Sequence, residues 1–219
     1  MPSKQEKFAD FETFKNCFTL FYENLAQGFD LKGKWRSEYF KNDHPIILEL
    51  GCGKGEYTIG LAKSNTGKNY IGVDIKGNRI WTGASQALAE KMDNVGFLRT
   101  RIDFIDYCFT ENEVDEIWIT FPDPQPQESR EKKRLTYPGF LNKYKTFLKP
   151  GGFVNLKTDN DGLYAFTVET VKELGLTCHK KTEQLYKSEF ADSVLSIKTH
   201  YERIYLKHDK NINYIQFSL

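Results

Sequence analysis

The 219-residue chain predicts an open α/β domain, a seven-stranded, mostly parallel sheet with helices on both faces. Three observations lead there. From residue 46 onward, short apolar runs alternate with longer helical ones, the order in which parallel strands and crossover helices follow one another. The first run, Ile46-Ile-Leu-Glu-Leu50, opens into Gly51-Cys-Gly-Lys-Gly55, where glycines let the backbone turn sharply and approach a ligand with no Cβ in the way. The next, Asn69-Tyr-Ile-Gly-Val-Asp74, ends in a carboxylate about 20 residues on, where a ribose-binding acid stands in nucleotide-binding βαβ units.

Taken in order, Phe11, Phe14, Phe18, Phe21, Tyr22 and Leu25 recur at helical spacing and predict one helix over 8–27, ended near Gly28. A polar basic stretch with Lys32, Lys34 and Arg36 follows. Residues 1–45 thus read as a helical N-terminal extension of a domain spanning 46–219. Within that domain, apolar runs of strand length fall at 46–50, 69–73, 95–100, 114–121, 152–158 and 176–182, with a last strand over 201–206. Helices are expected over 54–64, 78–91, 138–148 and 161–174. There are no internal repeats and no low-complexity tract.

Composition narrows the function classes. Lys and Arg number 31 against 30 acids, a formal charge of +1, so no global field draws the chain to nucleic acid or membrane, and any polyanion contact must come from local patches. Cys17, Cys52, Cys108 and Cys178 form no C-x-x-C pair, which argues against a zinc site or disulfide framework and for a reduced, cytoplasmic setting. None of the four histidines pairs at metal-ligand spacing, so no metal is expected. The charged start Met-Pro-Ser-Lys-Gln-Glu-Lys is unlike a signal peptide, and no apolar stretch approaches the ~18 residues of a membrane span.

The glycine loop is G-x-G-x-G rather than the G-x-G-x-x-G of dinucleotide sites, with Glu49 two positions before its first glycine. This arrangement resembles the S-adenosylmethionine loop of class I methyltransferases, in which Asp74 would accept both ribose hydroxyls. A second constellation stands at another strand end, where Glu116-Ile-Trp-Ile-Thr-Phe121 runs into Pro122-Asp-Pro-Gln-Pro126. Three prolines around one Asp stiffen the backbone and remove competing amide donors, a way to mount a reactive carboxylate. Loop and turn would face one crevice if the first and fourth strands of the 46–219 domain are neighbours. Arg130, Lys132, Lys133 and Arg134 follow directly and could hold phosphates of a folded RNA.

With these stretches in place, the chain resembles the bacterial tRNA (guanine-N7-)-methyltransferases. The resemblance is carried by Leu48-Glu-Leu-Gly-Cys-Gly-Lys-Gly-Glu56, Gly72-Val-Asp-Ile-Lys76, Ile117-Trp-Ile-Thr-Phe-Pro-Asp-Pro124, Lys132-Lys-Arg-Leu-Thr136, Leu156-Lys-Thr-Asp-Asn160 and Thr199-His-Tyr-Glu202. It covers about residues 46–206. It implies a Rossmann-like class I methyltransferase fold, S-adenosylmethionine as methyl donor, and tRNA as partner, with a variable-loop guanosine as target. It further implies that Glu49, Asp74, Asp103 and Asp123 line the cofactor site together with Gly51, Gly53 and Gly55, and that Asp123 also faces the target base. Asp159, Thr199, His200, Tyr201 and Glu202 match substrate-side positions. Where the family commonly has Trp-Pro-Lys-Lys-Arg-His, this chain has Gln125-Pro-Gln-Glu-Ser-Arg130, so Gln127 stands where a lysine would contact substrate. The N-terminal basic residues could extend an RNA track, and the protein is expected to act as a monomer or homodimer.

Guanine N7 offers a lone pair and carries no proton, so the reaction asks for alignment rather than a strong base. A carboxylate such as Asp123 can bind the ring N–H and amine of the base and offset developing positive charge. Two rival readings remain open at this level. An exocyclic-amine methyltransferase of RNA or DNA would carry a similar Asp-Pro turn closed by an aromatic, which Pro122-Asp-Pro-Gln125 lacks. A non-catalytic RNA-binding subunit could keep the cofactor site alone.

Overall fold

The computed structural model describes residues 2–219. Along the chain run α1 (Lys4–Thr13), β1 (Cys17–Thr19), a 3-10 turn (Tyr22–Gln27), a π-helical turn (Trp35–Phe40), β2 (Ile46–Leu50), α2 (Glu56–Ser64), β3 (Asn69–Asp74) and α3 (Gly77–Ala89). Then follow β4 (Val95–Arg99), β5 (Val114–Thr120), α4 (Pro138–Tyr144), β6 (Leu148–Thr158), α5 (Asp161–Glu173), β7 (Thr177–Thr182), α6 (His200–Lys207) and β8 (Asn213–Ser218). Among the described residues the strands form one sheet of eight, ordered β1-β4-β3-β2-β5-β6-β8-β7. All pairs are parallel except those of β8, which runs antiparallel to β6 and β7. The expected open α/β architecture is present with one strand more than the seven anticipated.

Strand alternation sends successive side chains to opposite faces, and the two cores divide accordingly. Ile46, Leu48 and Leu50 of β2 join one apolar cluster with Ile117, Ile119 and Leu156. Ile47 joins the other with Trp118, Phe97 and Tyr57. Their division explains why the helix expected over 8–27 breaks. Phe11 belongs to the second cluster, whereas Leu20 belongs to the first and Phe18 packs against it. A continuous helix could not reach both faces. Instead α1 stops at Thr13, and β1 carries the chain over the sheet edge, pairing Cys17 with Phe97.

The strand expected over 201–206 is also corrected. Those residues lie in α6, whose N-cap Thr199 accepts from the Glu202 N–H while the Glu202 carboxylate accepts from the Thr199 N–H, a capping box. The final strand is β8, closing against β6 from Phe153↔Ser218 to Thr158↔Asn213. Helix α4 ends earlier than the expected 148 because the chain turns there to start β6.

Three strands bring their carboxyl ends together. β2 lies between β3 and β5, with Glu49 opposite Gly72 on one side and Trp118 on the other. The Glu49 side chain braces this junction: its carboxylate accepts from the Thr58 N–H at 2.8 Å, from the Thr58 hydroxyl, and from the Thr120 hydroxyl. It thereby ties β2 to the first turn of α2 and to the end of β5. Burial pushes its pKa up to about 7, opposed by the hydrogen bonds from Thr120 and Thr58, with the Asp74 charge adding to the rise.

A carboxyl held above its unfolded value of about 4.3 binds its proton more tightly in the folded protein, so its contribution to stability is present at low pH and lost as pH rises through about 7. A Glu49→Gln amide can accept from Thr58 and donate to Thr120. Denaturation across pH 5–8 is therefore expected to show the variant gaining on the wild type as pH rises, approaching about 3 kcal/mol. Parallel curves would contradict this.

Candidate active site

Past Leu50 the backbone enters the left-handed region at Gly51 (φ 80), Gly53 (φ 56) and Gly55 (φ 75). The amides of Gly51 and Cys52 both donate to the Val73 carbonyl, at 2.8 and 2.9 Å, pinning the loop across the end of β3. Asp74 completes the frame by accepting from the Gly53 amide at 3.0 Å and the Lys76 amide at 2.8 Å. A Cβ on Gly51 or Gly53 would meet nothing within 4 Å, so this part of the loop faces open space. Gly55 serves packing instead. A Cβ there would stand 2.6 Å from the Phe97 ring and 3.3 Å from the Gly83 Cα, so the glycine allows α2 to start against α3 and β4.

The opposite wall springs from β5. Phe121 sits at φ 49, its amide donating to the Lys157 carbonyl at 2.8 Å. Asp123 accepts from the Gln125 amide at 3.1 Å, closing the proline turn on itself. From outside, Arg134 donates to the Gln125 carbonyl at 3.3 Å and lays its guanidinium 4.4 Å from the centre of the Phe166 ring. Arg134, read from sequence as a phosphate contact, is 12 % exposed and braces this turn.

Loop and turn open on one cleft of about 480 Å³. Glu49, Gly51, Gly53 and Asp74 line one side, Thr120, Asp123 and Gln125 the other, and Lys133 flanks it. Thr199, His200 and Tyr201, at the start of α6, form the remaining wall. That wall is seated by Glu56, whose carboxylate accepts from the His200 amide at 2.7 Å. Asp103 lies in an adjoining recess that shares Gly51, Asp74 and Lys133 with the cleft, and it pairs with Arg101 at 3.0 Å.

Other residues anticipated from sequence stand apart from the cleft lining. Asp159 is engaged by Lys210 at 3.0 Å. Glu202 is wholly buried and turned toward Lys157. Gln127, Arg130 and Lys132 are exposed, around the 3-10 turn Glu128–Lys133. Conversely, Lys54, Lys76 and Arg79 add positive charge to the cleft rim, a placement that sequence alone does not indicate. Lys54 stands between two glycines and Lys76 between Ile75 and Gly77, neighbours that carry no local sign of where a lysine side chain goes.

Comparison with known proteins bears on this site. A protein-family model described as "Putative methyltransferase" matches residues 43–214. The tRNA (guanine-N(7)-)-methyltransferase of Christiangramia forsetii is 48% identical over 219 residues, covering 99% of this chain and 98% of that protein. Its namesake in Bacteroides thetaiotaomicron is 48% identical over 218 residues, covering 99% of this chain and 86% of that protein. In fold, the 16S rRNA methyltransferase KamB superposes with a TM-score of 0.63 at 13% identity, covering 85% of this chain and 91% of that one. The 16S rRNA (adenine(1408)-N(1))-methyltransferase from Catenulisporales acidiphilia, solved with cosubstrate SAM, gives 0.56 at 12% identity, covering 87% and 92%. Those two likenesses speak for the fold alone. Near-half identity along almost the whole length goes further: this chain belongs to the tRNA (guanine-N(7)-)-methyltransferase family.

Proposed function

We propose that the chain transfers the methyl group of S-adenosylmethionine to N7 of a guanosine in the variable loop of tRNA, in the cytoplasm. The observation that carries this reading is the neighbourhood of β2 and β5, which opens the glycine loop and the Asp123 turn on one cleft. The cofactor fits the loop side. Gly51 and Gly53 leave space where side chains would stand, and the Asp74 carboxylate, already oriented by two amides, keeps lone pairs for ribose hydroxyls. Gly55 supports the site by close packing, Glu49 braces the floor, and Asp103 borders the adjoining recess. When bound, S-adenosylmethionine supplies an electrophilic methyl group on a sulfonium.

The chain's own contribution is placement. Asp123, on its stiffened turn, accepts hydrogen bonds from the guanine N1–H and exocyclic amine and offsets the positive charge that N7 alkylation puts on the purine. Thr199, His200 and Tyr201 form the wall against which the nucleotide rests. Lys133 at the cleft, with Arg130 and Lys132 on the exposed turn beside it, holds phosphates of the tRNA. Lys54, Lys76 and Arg79 extend that positive rim. No helix among the described residues is long and apolar enough to cross a membrane.

Three outcomes test this. Asp123→Ala is expected to lower kcat for methylation of unmodified tRNA by about 100-fold or more, the scale on which loss of one preorganised polar contact is felt at a charge-developing site; a variant within threefold of wild type would remove Asp123 from its role. Asp74→Ala should raise the dissociation constant of S-adenosylmethionine about tenfold, measured by calorimetry, because a charge-assisted hydrogen-bond pair is lost. For tRNA affinity against salt, Lys132→Ala/Lys133→Ala should reduce the log–log slope by about 1 to 2, and an unchanged slope would show that these lysines do not touch phosphate.

A further inference from the structure

The substrate-side wall depends on a buried charge that methyl transfer itself does not use. Lys157 stands on β6 with its side chain wholly excluded from solvent. Its ammonium donates to the Leu195 carbonyl at 2.8 Å and the Ile197 carbonyl at 3.2 Å, and it pairs with the Glu202 carboxylate at 3.0 Å. The Tyr57 ring centre lies 5.0 Å away. Glu202 is held from the other side by the Tyr186 hydroxyl, which donates to it at 2.5 Å. Segment 195–197 is also pressed onto α2, where Gly60 leaves room for the Ile197 side chain that a Cβ would strike at 2.4 Å. The backbone carbonyl of Lys157 meanwhile accepts from Phe121, the residue from which the Asp123 turn springs. One residue thus fastens the base of the turn and, through segment 195–202, the wall that faces it.

Stability alone gives little reason for an ion pair in this place. Desolvating two charges is costly, and apolar residues of similar volume often serve as well or better. What an ammonium supplies and a methyl group does not is direction, with three donors aimed at two carbonyls and at the third residue of α6. We infer that Lys157 and Glu202 form a positioning pair for tRNA, setting where Thr199, His200 and Tyr201 stand relative to Asp123. This rests on the tRNA reading above. Glu202 acts through α6, without touching the nucleotide, and the pair governs how well the target nitrogen is aligned.

Two variants test it, Lys157→Met/Glu202→Leu, which removes both charges together, and Tyr186→Phe, which removes one donor to Glu202. Melting temperature, S-adenosylmethionine affinity, and kcat and KM for tRNA would be measured for each beside the wild type. The double variant is expected to melt several degrees below wild type, because the Leu195 and Ile197 carbonyls, the Tyr186 hydroxyl and the Thr199 N–H lose their partners, and to bind the cofactor within about twofold. Its kcat/KM for tRNA should fall about 10- to 100-fold, the range that sub-ångström to ångström misplacement produces. Tyr186→Phe should fall in the same direction, by about two- to fivefold. A merely structural pair would lower the melting temperature and leave the kinetics of the folded protein unchanged, so a folded double variant with wild-type kcat/KM overturns the inference. If the double variant does not fold, Tyr186→Phe decides, and unchanged tRNA kinetics there overturn it equally. A wild-type protein inert on tRNA would overturn the functional reading itself, which active wild type with fully active variants would not.

Discussion

Without the parallel pairing of β2 with β5, the glycine loop and the Asp123 turn would not share a cleft. The register of the two strands, from Ile47↔Glu116 to Leu50↔Ile119, places the glycine loop and the proline turn side by side at one sheet end. Strand order reverses at β2, with β3 and β4 on one side and β5 and β6 on the other, and at such a switch point the connections diverge and leave a crevice. Glu49 bolts the junction by bonding Thr58 of α2 and Thr120 of β5 at once. A slip of one residue in this pair would turn Glu49 to the opposite face and separate the two walls.

The walls are built differently. On the loop side the holding bonds are largely backbone amides, two on the Val73 carbonyl and two on the Asp74 carboxylate. This geometry is local and depends on few side chains. The opposite side is assembled from distant pieces: Arg134 against the turn, Glu56 against the His200 amide, and Lys157 against residues 195–202. A small, invariant cofactor suits a wall of the first kind. A wall of the second kind suits a large substrate whose base must be presented at a defined angle, and it leaves that angle adjustable by side chains remote from the chemistry.

The legible parts of the fold were those whose signal is local. The strands at 46–50 and 69–74 and the helices over α3 and α5 follow from apolar runs and spacing, and the glycine loop from its own composition. Cys17–Thr19 was hidden because aromatic spacing there satisfies a helix equally well, and the deciding fact, that Phe11 and Leu20 belong to opposite faces of the sheet, is tertiary. Residues 201–206, expected as a strand, are helical, and the capping-box spacing of Thr199 and Glu202 is a helix-start signal present in the sequence. Of the cleft-lining residues, Asp74 and Asp123 stand at strand ends that the sequence itself displays. The burial of Glu202 is not displayed there, since its partner Lys157 lies 45 residues away in the chain. Nor is the bracing role of Arg134, which looks like one more charge in a basic run.

The base and the atom that receive the methyl group can be read from the product of the unaltered enzyme. Unmodified tRNA would be incubated with labelled S-adenosylmethionine, and the RNA then treated under conditions that cut the strand only at 7-methylguanosine. Label in the RNA and scission at a single variable-loop guanosine are expected. Label without scission would mean that the Asp123 turn presents a different nitrogen to the methyl group, and scission at many guanosines would mean that the cleft does not select its base; either result contradicts the account.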